Sequence, residues 1–172
     1  MNDFKVAREA YRPEKIKVLF LAEAPPCSGD RFFYFPDVKT GDNLFLYLIR
    51  TVFPDLEDVP VKQLRLQKEE LLNRFKTAGY FLEDSVQEPI PKGTSPAKKI
   101  KIIENNQQEL LQILKSYKNI PLFLLSSTVF KANYKFLKDN GFNIVNDMPI
   151  PFPGSGQQNN FKMAMEKYKD VF

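Results

Sequence analysis

The run Lys17-Val18-Leu19-Phe20-Leu21-Ala22 is continuous and apolar and is stopped by Pro25-Pro26, the pattern of a strand buried on both faces. Leu122-Phe123-Leu124-Leu125 repeats it, and the shorter runs Gly79 to Leu82 and Phe142 to Val145 predict two further strands. Apolar residues crowd nearly every position from Asp42 to Phe53, which reads as a buried helix with Asp42 or Asn43 as its cap and Pro54 as its stop. Glu69 to Thr77 carries Leu71, Leu72 and Phe75 at helical spacing and runs into Gly79. Ile103, Gln107, Leu110, Leu111, Leu114 and Tyr117 share one face of a helix opened by Lys98, Lys99 and Lys101. Ser126-Ser127-Thr128 can cap a helix that runs to Asn140 and stops at Gly141, and Phe161, Ala164, Met165 and Tyr168 mark a last helix.

Strands alternating with helices predict a single α/β domain over residues 1–172, a three-layer α/β/α arrangement around a mostly parallel four-stranded sheet. Ligands on such sheets bind outside the carboxyl ends of the strands. The segments that reach that edge are 22–34, 83–89, 126–128 and 147–158.

Composition narrows the chemistry. The chain has 172 residues with 25 Lys plus Arg against 21 Asp plus Glu, a net charge of +4 that is compatible with a polyanion partner without requiring one. It has no histidine, which excludes histidine acid/base chemistry, Ser-His-Asp or Cys-His nucleophilic catalysis and histidine-ligated metals. With Cys27 as the single cysteine, no intrachain disulfide or cysteine-ligated metal is expected, which fits a reducing cytoplasm. Met1 to Pro13 lacks the apolar core of an export signal, and the longest apolar run, Val18 to Ala22, is far shorter than the roughly 18 residues of a spanning helix. The expectation is a soluble cytoplasmic monomer without metal or cofactor.

Leu21 to Pro26 followed by Cys27 to Phe35 puts a carboxylate, two prolines and an aromatic cluster where the central strand ends. Glu23 in a flat apolar pocket suits an aromatic heterocycle; the bland alternative is a structural ion pair or cap with the aromatics in the core. Arg31, beside those aromatics, can pair with phosphate or with Glu23. The loop Phe152-Pro153-Gly154-Ser155-Gly156 offers backbone N–H groups and a hydroxyl to a phosphate, or else forms a tight turn before the last helix. Lys92, Lys98, Lys99 and Lys101 read either as contacts to a DNA backbone or as a solvated loop.

The strand followed by Ala22-Glu23-Ala24-Pro25-Pro26 resembles the first motif of the uracil-DNA glycosylase superfamily, whose iron-sulfur branch has Gly-Glu-Ala-Pro-Gly there. Glu83-Asp84-Ser85-Val86 through Pro89 resembles the segment in which that superfamily presents an Asn, and Pro149 to Gly156 resembles its second motif. The resemblance spans most of the chain. It implies an enzyme that extrudes a damaged, deaminated base from DNA and hydrolyses its N-glycosidic bond. By motif position, Glu23 is the catalytic carboxylate, and Asp84, or Glu83 in a shifted register, reads the base. Phe32 or Phe33 stacks on it, with Ala24, Pro25 and Phe152 completing the base pocket. Arg31, Gly154, Ser155 and Gly156 would face DNA or phosphate.

The chain also departs from the pattern. Phe152 or a neighbour stands where the second motif has His, and the four cluster cysteines are absent, so no iron-sulfur cluster is expected. An ionised Asp84 accepts hydrogen bonds where Asn would donate, which favours a base edge rich in N–H groups. These departures motivate a second expectation, a non-catalytic protein of the same fold that binds a nucleobase, nucleotide or single-stranded nucleic acid.

Overall fold

Residues 4–172 are described by a computed structural model. Its strands are β1 (Val18–Ala22), β2 (Tyr80–Asp84) and β3 (Leu122–Leu124), in the order β2-β1-β3 with both pairings parallel. Every residue of the three strands is buried. Successive side chains on a strand point to opposite faces, so the sheet is covered on both. On one face Phe20 stacks with Phe75, Phe123 and Phe172, its ring centroid lying 5.4–6.0 Å from theirs.

The helices among the described residues are α1 (Phe4–Ala10), α2 (Asn43–Val52), α3 (Val61–Leu66), α4 (Lys68–Thr77), α5 (Pro96–Asn105), α6 (Gln107–Leu114), α7 (Ser127–Asp139) and α8 (Gln158–Glu166). Two of them, α1 and α3, occupy stretches where the sequence pattern predicts no element. The single helix expected through Tyr117 is instead α5 and α6. It breaks at Asn106, whose N–H bonds back three residues to Ile103 while its side-chain amide donates to the Ile102 carbonyl at 2.8 Å. Asp42 precedes α2 but its side chain does not cap it. Ser126 does cap α7, accepting from the Val129 N–H at 3.2 Å, and the helix ends before Gly141, whose φ of +83° suits a residue without Cβ.

The fourth strand expected at Phe142 to Val145 is reduced to isolated parallel bridges, Leu122 with Ile144 and Leu125 with Ile150. Asn146 is the reason. Its buried side-chain amide takes the place of a strand backbone, accepting from Leu124 N–H at 2.9 Å and donating to Leu124 C=O at 3.2 Å. The same nitrogen donates to Met148 C=O at 2.9 Å, which bends the chain away from the sheet.

The opposite edge is finished in the same way. The hydroxyl of buried Tyr34 accepts from Leu82 N–H at 2.7 Å and donates to Leu82 C=O at 2.9 Å. Each edge of the sheet is therefore closed by one side chain that satisfies both backbone groups of one residue. Unpaired buried polar groups are expensive, so Tyr34→Phe and Asn146→Ala should each lower unfolding stability by about 2–3 kcal/mol. Urea titration checks this: an unchanged midpoint would mean that these backbone groups find water instead.

Candidate functional site

A cavity of about 630 Å³ opens at the carboxyl ends of the strands, where the sequence places it. Its walls include Glu23, Ala24, Pro25 and Pro26 after β1, Asp84 at the end of β2, Ser126 after β3, and the aromatic residues Phe32, Phe33, Phe45 and Phe152. A strap formed by Ile90 to Thr94 lies along one side, and the Cys27 thiol donates to the Ile90 carbonyl across it. This volume falls within the roughly 300–1,000 Å³ range of small-molecule sites.

β1 delivers Glu23 by continuing its pairing beyond the strand. Ser85 N–H bonds to Ala22 C=O at 2.8 Å and Val86 N–H to Glu23 C=O at 3.1 Å. Pro25, buried, and Pro26 then fix the exit path. The Glu23 carboxylate is met by Lys99 of α5, with Nζ 2.6 Å from Oε1. Arg31 is not its partner; among the described residues the carboxylate paired with that guanidinium is exposed Asp30 at 3.7 Å. Lys99 thus belongs to the site, whereas Lys98 and Lys101 are exposed.

Asp84 is buried and held by Arg8 of α1, whose Nη2 lies 2.5 Å from Oδ2. The same guanidinium meets Glu83 Oε1 at 3.0 Å and the Gln87 side-chain carbonyl at 2.7 Å. Burial pushes the Asp84 carboxyl up to about 7; Arg8 opposes the rise and neighbouring Glu83 adds to it. Near neutral pH a large fraction of Asp84 therefore carries a proton. The ionised form only accepts hydrogen bonds, whereas the carboxylic acid can also donate. Asp84, not Glu83, lines the cavity.

The aromatic residues divide by burial. Phe32 and Phe33 line the cavity but are 2% and 5% exposed, locked edge-on against Tyr34. Phe152, at 48%, presents a ring at the mouth, packed over Gly154 so closely that a Cβ there would sit 3.1 Å from the ring. Gly154, Ser155 and Gly156 do not line the cavity; they form the turn into α8, with Gln157 N–H bonded to Gly154 C=O at 3.0 Å.

Two features escape the sequence pattern. Asp42 is buried at the cavity wall and bound through Oδ1 to Arg65 at 2.7 and 2.9 Å, with Lys68 Nζ 3.6 Å from Oδ2. Lys68 is fully buried over the Phe45 ring, and burial lowers its ammonium to about 8 even though Asp42 opposes the fall. Ser126 has φ +87° and ψ 150°, a region that only glycine occupies without strain of about 1–3 kcal/mol. Its backbone is pinned by its N–H to Ile150 C=O at 2.9 Å and by its capping hydroxyl.

No family model matches this chain, and no curated protein or solved structure shows significant similarity to it.

Proposed function

We propose that this chain is a uracil-DNA-glycosylase-like hydrolase that cleaves the N-glycosidic bond of a deaminated base in DNA. The observation that carries the reading is the position of Glu23: a carboxylate just beyond the central strand, inside an aromatic-walled cavity large enough for a nucleobase and its sugar. In this reading the base leaves with the bonding electron pair as the sugar becomes oxocarbenium-like. Glu23 stabilises that cation and takes the proton of the attacking water. Asp84 in its acid form donates to a carbonyl oxygen of the base, and Phe152 covers the exposed face. No histidine is required.

Glu23→Gln keeps the shape of the side chain but removes its charge. Cleavage of uracil, hypoxanthine or xanthine oligonucleotides to abasic products should then fall by about 100-fold or more, the scale of a lost general base. Cleavage by the variant at the rate of the unaltered protein would remove Glu23 from the mechanism, and no cleavage of any of the three by the unaltered protein would remove the activity.

The Lys99 ammonium at 2.6 Å favours a second reading. A carboxylate whose oxygen is already occupied by a cation has less room to accept an attacking water, which suits a protein that binds a nucleobase, nucleotide or single strand without cleaving it. Calorimetric binding of free bases or oligonucleotides without turnover would select this reading.

A further inference from the structure

We propose that the cavity takes a nucleoside monophosphate, with the base against the aromatic walls and the phosphate between Arg31 and Lys92. The assignment of a base to the walls rests on the second reading above, that of a nucleotide-binding protein; the phosphate assignment rests on charge and geometry.

Each carboxylate lining the cavity already has a cation. Glu23 has Lys99 at 2.6 Å, Asp42 has Arg65 at 2.7 Å and Asp84 has Arg8 at 2.5 Å. Of the three cations that line it, Lys99 is matched by Glu23. Among the described residues Arg31 has only a 3.7 Å approach to Asp30, a side chain 69% exposed and therefore well screened. Lys92 has no ion pair with the described residues. Two positive charges are thus left facing one cavity. A phosphomonoester carries about two negative charges at neutral pH, whereas a diester in a strand carries one, so the terminal phosphate is the better match.

Arg31 is also placed rather than merely exposed. Its Cδ, Nε and Nη1 lie 2.8–2.9 Å from where a Cβ on Gly41 would stand, so the guanidinium rests on the bare backbone of a glycine with φ +78°. The planar guanidinium carries donors in a fork that suits phosphate oxygens, and the missing Cβ at Gly41 leaves room for it there. Arg31 and Lys92 both line the cavity, whereas the glycine turn at 154–156 does not.

The test is calorimetry on the full chain with deoxyuridine and deoxyinosine monophosphates, their unphosphorylated nucleosides, and a trinucleotide lacking terminal phosphates. At least one monophosphate should bind about tenfold or more tightly than its nucleoside, as two charge-assisted contacts imply. Arg31→Gln and Lys92→Gln should each erase most of that preference while leaving nucleoside affinity in place. Gly41→Ala, which keeps every charge but displaces Arg31, should do the same; folding of each variant is checked by circular dichroism, and the two exposed-side-chain variants carry the test if Gly41→Ala unfolds. Equal affinity for nucleoside and monophosphate, absence of binding, or a preference that survives Arg31→Gln would overturn the proposal. A trinucleotide that matches the monophosphate would overturn the monoester in favour of a strand. Monophosphate binding without oligonucleotide cleavage would sink the glycosylase reading alone; cleavage without phosphate preference would sink this inference alone.

Discussion

Arg8→Met should destabilise the protein by about 3–5 kcal/mol at pH 8, the scale of a buried ion pair that loses one partner. Arg8 is 2% exposed and is the buried cation on both Glu83 and Asp84, at 3.0 and 2.5 Å. The nearest other cation to Glu83 is Arg12 at 3.9 Å. Methionine fills much of the same volume and keeps the packing over the Phe32 ring, where the guanidinium now lies 5.6 Å from the centroid. The loss is therefore electrostatic, and it should shrink at pH 5, where Asp84 is protonated and asks less of a cation. Urea titrations at the two pH values measure it. A loss below about 1 kcal/mol at pH 8 would mean that water or Arg12 replaces Arg8. In the second background, Asp84→Asn, the same substitution should be milder, because one of the two stranded carboxylates is gone.

The importance of Arg8 could not be read from its local sequence. Its segment alternates charged and apolar residues with no strong helical stripe, and its partners lie 75 and 76 positions away on β2. The core strands were legible because continuous apolar runs between breakers have few alternatives, and the site edge followed from the parallel α/β pattern. Glu23, Asp84, Arg31 and Phe152 do meet at one cavity. What periodicity could not convey was which cation serves which acid. Lys99 looks like part of a solvated basic run, yet one helical turn beyond the Ser95 cap it reaches Glu23. Asp42 has the sequence of a helix cap and is used instead as an ion-pair acceptor. The missing fourth strand has the same origin: Phe142 to Val145 has strand composition, but Asn146 supplies the ladder bonds from its side chain. In each case a long-range polar contact overrides a local preference, and side-chain amides and charges carry little periodic signal. The absence of histidine keeps its value from sequence to site, since the acid with an elevated pKa at the cavity is a carboxylic acid, Asp84.

Stability plotted against pH should show a minimum between about pH 7 and 8, produced by two buried groups shifted in opposite senses. Asp84 titrates near 7 in the folded chain instead of its ordinary 3.8. Between those values the folded protein holds a proton that the unfolded chain has released, so unfolding free energy falls as pH rises and levels off above 7. Lys68 titrates near 8 instead of 10.5. Between those values the unfolded chain holds the proton that the folded protein has lost, so unfolding free energy rises with pH through that window. Each limb should amount to about 2–4 kcal/mol. Below pH 5 the Arg-paired carboxylates Glu9 and Asp55, held below their ordinary values, begin to lose their contribution. Above pH 10 buried Tyr34, held well above its ordinary value, resists ionisation and turns the curve down again. The informative range is therefore pH 5 to 10, measured by urea titration at constant ionic strength. Asp84→Asn should flatten the acid limb and leave the alkaline one; Lys68→Met should do the reverse. A profile that is level from pH 5 to 9 in the unaltered protein would show that Arg8 keeps Asp84 ionised and that Asp42 keeps Lys68 charged throughout. Asp84 could then not act as the donor to a base carbonyl, and the hydrogen-bond pattern of the site would favour an N–H-rich edge instead.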